Sequence, residues 1–246
     1  MRILVINPNT TASMTEKIGV AARAVAAPGT RVTAVNPDMG PASIEGFYDE
    51  AFAVPGLLAA VRDGETAGHD AYVIACFDDT GLDAARCIAR GPVLGICEAG
   101  VHCASLVASR FSIVTTLRRT VPAIEGLVVR YGAAARCRVR AAEVPVLALE
   151  DPASGAADRV RQEIRCALDE DGAEAVLLGC AGMADLARRF SDEMGVPVLD
   201  GVVCAVKLAE SLVALGLRTS KVGGYADPLA KSYLGELARF APGDQS

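Results

Sequence analysis

The chain has 246 residues, of which 52% are hydrophobic, 22% charged and only 4% aromatic, with no Trp. That length suits one large domain or two small ones, with a core of Ala, Val, Leu and Ile such as buried parallel strands provide. A net charge of −6, no basic patch interleaved with aromatics and no apolar run of membrane-spanning length argue against a nucleic-acid or membrane partner.

Met1-Arg2 is followed by four apolar residues and then Asn7-Pro8, too short for a signal-peptide core, so a soluble cytoplasmic chain is expected. Arg2 to Ile6 reads as a strand, followed by the turn Asn7-Pro-Asn-Thr-Thr11 and a helix over Ser13 to Ala26. Arg31 to Asn36 is a second strand, and Pro41-Ala-Ser-Ile-Glu-Gly46 is a loop of the kind that forms binding walls. Ala51 to Asp63 is helical, Ala71 to Cys76 a buried strand, Gly81 to Arg90 a helix and Pro92 to Ile96 another strand. In the second half, Phe111 to Thr116, Val144 to Leu149, Glu174 to Cys180 and Pro197 to Asp200 read as strands. Val121 to Tyr131, Ala157 to Asp169, Met183 to Phe190 and Ala205 to Leu215 read as the intervening helices. Ala241 to Ser246 reads as a frayed tail.

This alternation indicates parallel sheets with crossover helices, and it repeats. Asp70 to Cys76 matches Glu174 to Cys180 at an offset of 104 (180 − 76). Pro92-Val-Leu-Gly95 matches Pro197-Val-Leu-Asp200 at 105 (197 − 92), and Arg2 to Ile6 matches Arg110 to Val114 at 108 (110 − 2). The expected fold class is therefore α/β, with two pseudo-symmetric Rossmann-like lobes, each a mostly parallel sheet flanked by helices, and the site between them. Residues 1–96 with 205–246 are assigned to the first lobe and 97–204 to the second.

Of the eight cysteines no pair has CxxC spacing, and the only histidines are His69 and His102, so neither a disulfide framework nor a zinc site is expected. Most of these thiols read as small buried hydrophobes. Cys76 and Cys180 differ, because each ends a hydrophobic strand before a helix at the same place in the repeat. The crevice of an open α/β sheet lies beyond the carboxyl ends of its strands, so facing lobes point both thiols into it. A following helix offers free N–H groups and a partial positive charge, which lower a thiol below its usual value of about 8.5. A thiolate and a thiol on opposite faces of one carbon supply the base and the acid of racemisation, with roles exchanged for the other enantiomer. Asn7 to Thr11 and Thr115-Thr116 follow equivalent strands, where they cap helices or hold substrate. Asp78 and Asp79 read as caps, as orienting groups for substrate N–H, or as both. His102, the other conceivable base, has no counterpart in the first lobe and is assigned to helix packing or an interface.

The segments Asn7-Pro-Asn-Thr-Thr11, Gly40-Pro-Ala-Ser-Ile-Glu-Gly46 with Tyr48-Asp-Glu-Ala51, Ala75-Cys-Phe-Asp-Asp-Thr-Gly81 and Gly95-Ile-Cys-Glu-Ala99 carry a resemblance. So do Ser112-Ile-Val-Thr-Thr116, Leu178-Gly-Cys-Ala-Gly-Met183 and Lys221-Val-Gly-Gly-Tyr225. Together the chain resembles the Asp/Glu/hydantoin racemase superfamily and, within it, the hydantoin racemases. The resemblance implies catalytic cysteines at the interface of two lobes and independence from metals and pyridoxal phosphate. It implies catalytic roles for Cys76 and Cys180 and substrate contacts from Asn9, Ile44, Thr115 and Thr116. It also points to backbone groups at Phe77-Asp78 and Ala181-Gly182, as donors to an enolate. The superfamily's amino-acid racemases carry Cys-Asn-Thr and Cys-Thr-His, where small polar groups hold a carboxylate. Here Cys76-Phe-Asp-Asp and Cys180-Ala-Gly-Met replace them, and Asp78 and Asp79 repel a carboxylate, so a neutral ring is expected. Two thiols, where arylmalonate decarboxylases keep one, favour racemisation or isomerisation.

The expected activity is cofactor-independent racemisation of a small-molecule substrate, a 5-monosubstituted hydantoin, at ring carbon 5 by a homo-oligomer. Phe47, Ile44 and Phe77 are candidates for an apolar wall around a bulky substituent. The alternatives are an allantoin racemase, a maleate-isomerase-like enzyme with one nucleophilic cysteine, and a binding module with inert thiols.

Overall fold

The computed structural model describes residues 1–243; residues 244–246, the end of the expected tail, lie outside the described residues. In chain order the first half comprises β1 (Arg2–Ile6), α1 (Ala12–Val25), β2 (Arg31–Val35), α2 (Phe47–Ala67), β3 (Ala71–Ile74), α3 (Leu82–Ile88), β4 (Val93–Gly95) and α4 (Ile96–Val107). The second half comprises β5 (Phe111–Thr115), α5 (Val121–Arg130), β6 (Cys137–Ala141), α6 (Ala156–Glu170), β7 (Ala175–Gly179), α7 (Ala187–Met194), β8 (Val198–Asp200) and α8 (Gly201–Ala214). The strands form two four-stranded parallel sheets of identical order, β2-β1-β3-β4 and β6-β5-β7-β8.

The central strands β1, β3, β5 and β7 are apolar on both faces, as strands covered by helices on two sides must be. Ile3, Val5, Ala71 and Val73 of one sheet and Phe111, Ile113, Ala175 and Leu177 of the other share a single buried cluster with residues of α1, α4, α5 and α8. The alternate residues point the other way. Leu4, Ile6, Tyr72 and Ile74 meet Leu57 and Val61 of α2, and Val114, Val176 and Leu178 meet Val160 and Ile164 of α6 with Phe190 of α7. Two sheets thus sandwich one shared layer of helices and carry an outer layer each.

The sheets are joined at their middle by α4 and α8, which follow β4 and β8 directly and pack on one another. Gly201 makes that approach possible: a Cβ there would lie 2.4 Å from the carbonyl oxygen of Ile96.

Three expectations are corrected. Val144 to Leu149 is not a strand; the segment forms a 3₁₀ turn, Val146–Glu150, after Pro145. The edge strand is instead Cys137–Ala141, whose alternating Cys-Arg-Val-Arg-Ala pattern is only half apolar. Arg140 is tolerated there because Glu163, Glu170 and Asp171 hold its guanidinium at 2.6, 2.5 and 2.8 Å. The helix expected over Met183 to Phe190 starts only at Ala187, behind a 3₁₀ turn at Ala181–Met183. The helix expected over Ala51 to Asp63 extends over Phe47–Ala67, through Pro55. Among the described residues no helix is long and apolar enough to cross a membrane.

Candidate active site

In each sheet the chain order reverses between two neighbouring strands, β1 and β3 in one, β5 and β7 in the other. Such switch points open crevices at the carboxyl ends of parallel strands. Asn7 and Asn9 follow β1, Cys76 to Asp78 follow β3, Thr115 ends β5 and Thr116 follows it, and Cys180 and Ala181 follow β7. All of them border one cavity of about 40 Å³, with Ile44, Met14, Val146 and Thr120 closing its sides. The sequence-predicted Cys76, Cys180, Asn9, Ile44, Phe77, Asp78, Thr115, Thr116 and Ala181 therefore meet. Gly182 does not line the cavity, although it lies beside the Cys180 sulfur: a Cβ there would sit 3.6 Å from Sγ. Phe47 lies at the start of α2 and is 66% exposed, outside the wall expected of it.

The two cysteine turns share a geometry. The amide of Asp79 donates to the Cys76 carbonyl at 3.1 Å, and that of Met183 donates to the Cys180 carbonyl at 3.0 Å. The surroundings then diverge. The Thr80 hydroxyl donates to Cys76 Sγ at 3.3 Å. At Cys180 the nearby charges are Asp78, Lys17 and Glu150.

The expected lowering of the thiols by helix N-termini is not what the site does. Helix α3 starts at Leu82, six residues past Cys76 (82 − 76), and a lone 3₁₀ turn follows Cys180. Burial, then the Asp78 carboxyl, push the Cys76 thiol well above its ordinary value, against the Thr80 hydroxyl and the Asp78 amide. Burial pushes Cys180 up to about 12, against the Gly182 amide and the Lys17 ammonium. Asp78 is itself pushed up to about 7 by burial, then by Glu50 and Asp79. Glu50 is raised by burial and by Asp49, and its Oε1 is buried without a hydrogen-bond partner. The site therefore sets two thiols, both pushed up by burial, beside an acidic wall.

The remaining walls are held by polar bonds. Asn9 Oδ1 accepts from the Thr11 amide at 2.9 Å and from Asn7 Nδ2 at 2.8 Å, so the Asn7–Thr11 turn is self-supporting. The Thr115 hydroxyl donates to the Gly179 carbonyl at 3.1 Å; at Gly179 a Cβ would sit 2.8 Å from Thr115 Cα. Val146 comes from the second half of the chain, yet its amide donates to Glu45 at 2.8 Å. Lys17 donates to the Leu149 carbonyl at 2.9 Å and pairs with Glu150 at 3.0 Å.

Asp79 does not cap its own helix. Its carboxylate accepts from the amides of Cys97 and Glu98, at the start of α4, and from the Tyr131 hydroxyl. His102 sits on the exposed side of α4, with its ring 6.0 Å from that of Tyr131, and does not border the cavity. Among the described residues no group of three or more His, Cys, Asp or Glu side chains is arranged to hold a metal ion. Thr80, Lys17 and Val146 escaped the sequence reading. Thr80 carried a signal, four residues past Cys76 in the turn; Lys17 and Val146 act across more than a hundred residues of chain.

Comparison with known proteins identifies the family of the chain. Residues 3–209 match the family described as Asp/Glu/Hydantoin racemase. The chain is 55% identical over 236 residues to a hydantoin racemase of Rhizobium meliloti, covering 96% of this chain and 98% of that one. It is 49% identical over 242 residues to a hydantoin racemase of Pseudomonas sp. (strain NS671), covering 98% and 97%. An allantoin racemase from Klebsiella pneumoniae superposes with a TM-score of 0.96 at 53% identity, over 98% of this chain and 99% of that chain.

Proposed function

The chain belongs to the Asp/Glu/hydantoin racemase family, and from that premise we propose that this racemase interconverts D- and L-5-monosubstituted hydantoins with Cys76 and Cys180 as its two acid–base groups. One observation carries the reading: two thiols at equivalent switch points of two like sheets border the same cavity. In one direction a thiolate takes the proton from ring carbon 5 and becomes a thiol. The electron pair moves onto the neighbouring ring carbonyl as an enolate. The opposite thiol gives its proton to the other face of carbon 5 and is left as the thiolate. The reverse direction exchanges the two roles. A carbon acid flanked by a ring carbonyl needs no separate electron sink, so the proposal includes no cofactor.

The cavity of about 40 Å³ has room for a water molecule or two, and a substituted ring is several times larger. Admitting the ring would require the Ile44 and Val146 walls to yield. Asp78, ionising near neutrality, is suited to a ring N–H and hostile to a carboxylate.

The test is loss of optical rotation from one enantiomer of 5-benzylhydantoin in D₂O with EDTA. Deuterium should enter carbon 5 as rotation disappears, and Cys76→Ser and Cys180→Ser should each abolish the loss of rotation. Normal turnover in either variant would end the two-thiol scheme. The likeness to the allantoin racemase supports allantoin, a hydantoin with a ureido substituent, as a second reading. The ratio of kcat/KM for allantoin and 5-benzylhydantoin decides between them. A homo-oligomer belongs to the same proposal. Val222, Leu229 and Leu234 stand 85, 77 and 86% exposed on the segment after α8, and a second subunit would cover them. A reducing cytoplasm, which keeps both thiols free, completes it.

A further inference from the structure

The two halves of the molecule cap their central helices from different places. In the second half the cap is local: Asp200, the last residue of β8, accepts from the amides of Val202 and Val203 at 3.0 and 3.1 Å. The repeat offset of 105 makes Gly95 the counterpart of Asp200, and Cys97 and Glu98 the counterparts of Val202 and Val203. Gly95 has no side chain to offer. The carboxylate arrives instead from Asp79, which accepts from the same two amides at 3.0 and 2.9 Å. A Cβ on Gly95 would lie 2.1 to 2.6 Å from that carboxylate, so Gly95 leaves the place Asp79 fills. By the offset of 104, the counterpart of Asp79 is Met183, a fully buried apolar residue.

Capping alone does not explain the displacement, because a residue at Gly95 could cap α4 as Asp200 caps α8. The relocation changes where the carboxylate is rooted. Asp79 is three residues past Cys76, is 5% exposed and holds a φ of 47°, a left-handed conformation unusual for a side-chain-bearing residue. Its Oδ2 also accepts from Tyr131, at the end of α5, at 2.6 Å. One carboxylate therefore ties the Cys76 turn to α4 and to a helix that packs on the opposite sheet.

We propose that Asp79 is a positioning residue: it anchors the Cys76 turn to α4 and α5, and so fixes the first thiol against the lobe that carries the second. The inference rests on Cys76 acting as an acid–base group. Geometry between reacting groups is worth about a hundredfold in rate per ångström, so a loosened anchor reaches turnover without touching substrate.

The experiment transplants the second lobe's arrangement into the first. Asp79→Met removes cap and anchor together, and Asp79→Met with Gly95→Asp restores the cap without the anchor. The single variant should lose roughly 2–6 °C in Tm and at least tenfold in kcat. The double variant should regain most of the Tm while kcat stays at least tenfold down with KM little changed. Recovery of kcat in step with Tm would overturn the proposal, since Asp79 would then be a cap only. Tyr131→Phe keeps the cap and removes one strand of the anchor. It should lower kcat several-fold at nearly unchanged Tm, and wild-type kcat in that variant overturns the proposal even if the double variant does not fold. Full activity in Cys76→Ser is a separate outcome, which refutes the two-thiol reading itself.

Discussion

Thr80 is the residue whose contact bears most directly on the proposed chemistry. Its hydroxyl favours the thiolate of Cys76 by donating to it, so Thr80→Val should cut kcat/KM about 5–20-fold and move the rise of activity to higher pH. Asp78 acts in the opposite sense, since its carboxylate opposes a second negative charge beside it. Asp78→Asn should therefore move that rise to lower pH, whatever it costs in KM, and a pair of pH–rate profiles checks both signs. The same substitution reports on stability. A carboxyl held near 7 in the fold and near 4 in the unfolded chain keeps its proton longer when folded. It lowers stability progressively as pH rises from about 4 to 7. Asp78→Asn should then raise Tm by roughly 3–6 °C at pH 8 and by much less at pH 5, as differential scanning calorimetry would show. The paired cysteines were legible because a repeat put them in register. Their electrostatics were not: burial outweighs every local donor, and burial is a property of the assembled lobes.

The Pro41–Gly46 loop and the 3₁₀ turn Val146–Glu150 meet over the cavity. Thr10 and Thr11 hold the first of these by its carbonyls at Pro41 and Ala42, Lys17 holds the second, and Glu45 joins one to the other. Glu45→Ala releases that junction without touching either thiol. It should raise KM several-fold, with the smaller effect on kcat, as steady-state kinetics on either enantiomer would show. The loop was readable as a binding wall from its turn residues. The 3₁₀ turn was not, because Val144 to Leu149 has the composition of a strand and takes its conformation from Pro145 and from contacts with a distant loop. Strand β6 was legible in principle: shifting β2 along the chain by 106 (137 − 31) lands on Cys137–Ala141, between the offsets the repeat already showed. Its alternating arginines hid it from a search for apolar runs.

At the scale of the whole molecule, the repeat was the most legible feature, since two sheets of the same strand order follow from two like halves. What the repeat could not convey is where the halves stopped being alike. Lys17 and Asp79 each make their decisive contacts with the other half, and no pattern within one half reports a partner in the other. The shared helical layer between the sheets explains why such exchanges are available: α1, α4, α5 and α8 are packed into one core, so a side chain from either half reaches its neighbour's turns.

The unlike settings of the two thiols, a hydroxyl and an acid at Cys76 and an ion pair at Cys180, have a thermodynamic corollary. Mirror-image substrates are equal in free energy in water, so the enzyme must process them with equal kcat/KM however lopsided its own site. The asymmetry is thereby confined to a trade: whichever enantiomer has the lower KM must also have the lower kcat, and by the same factor.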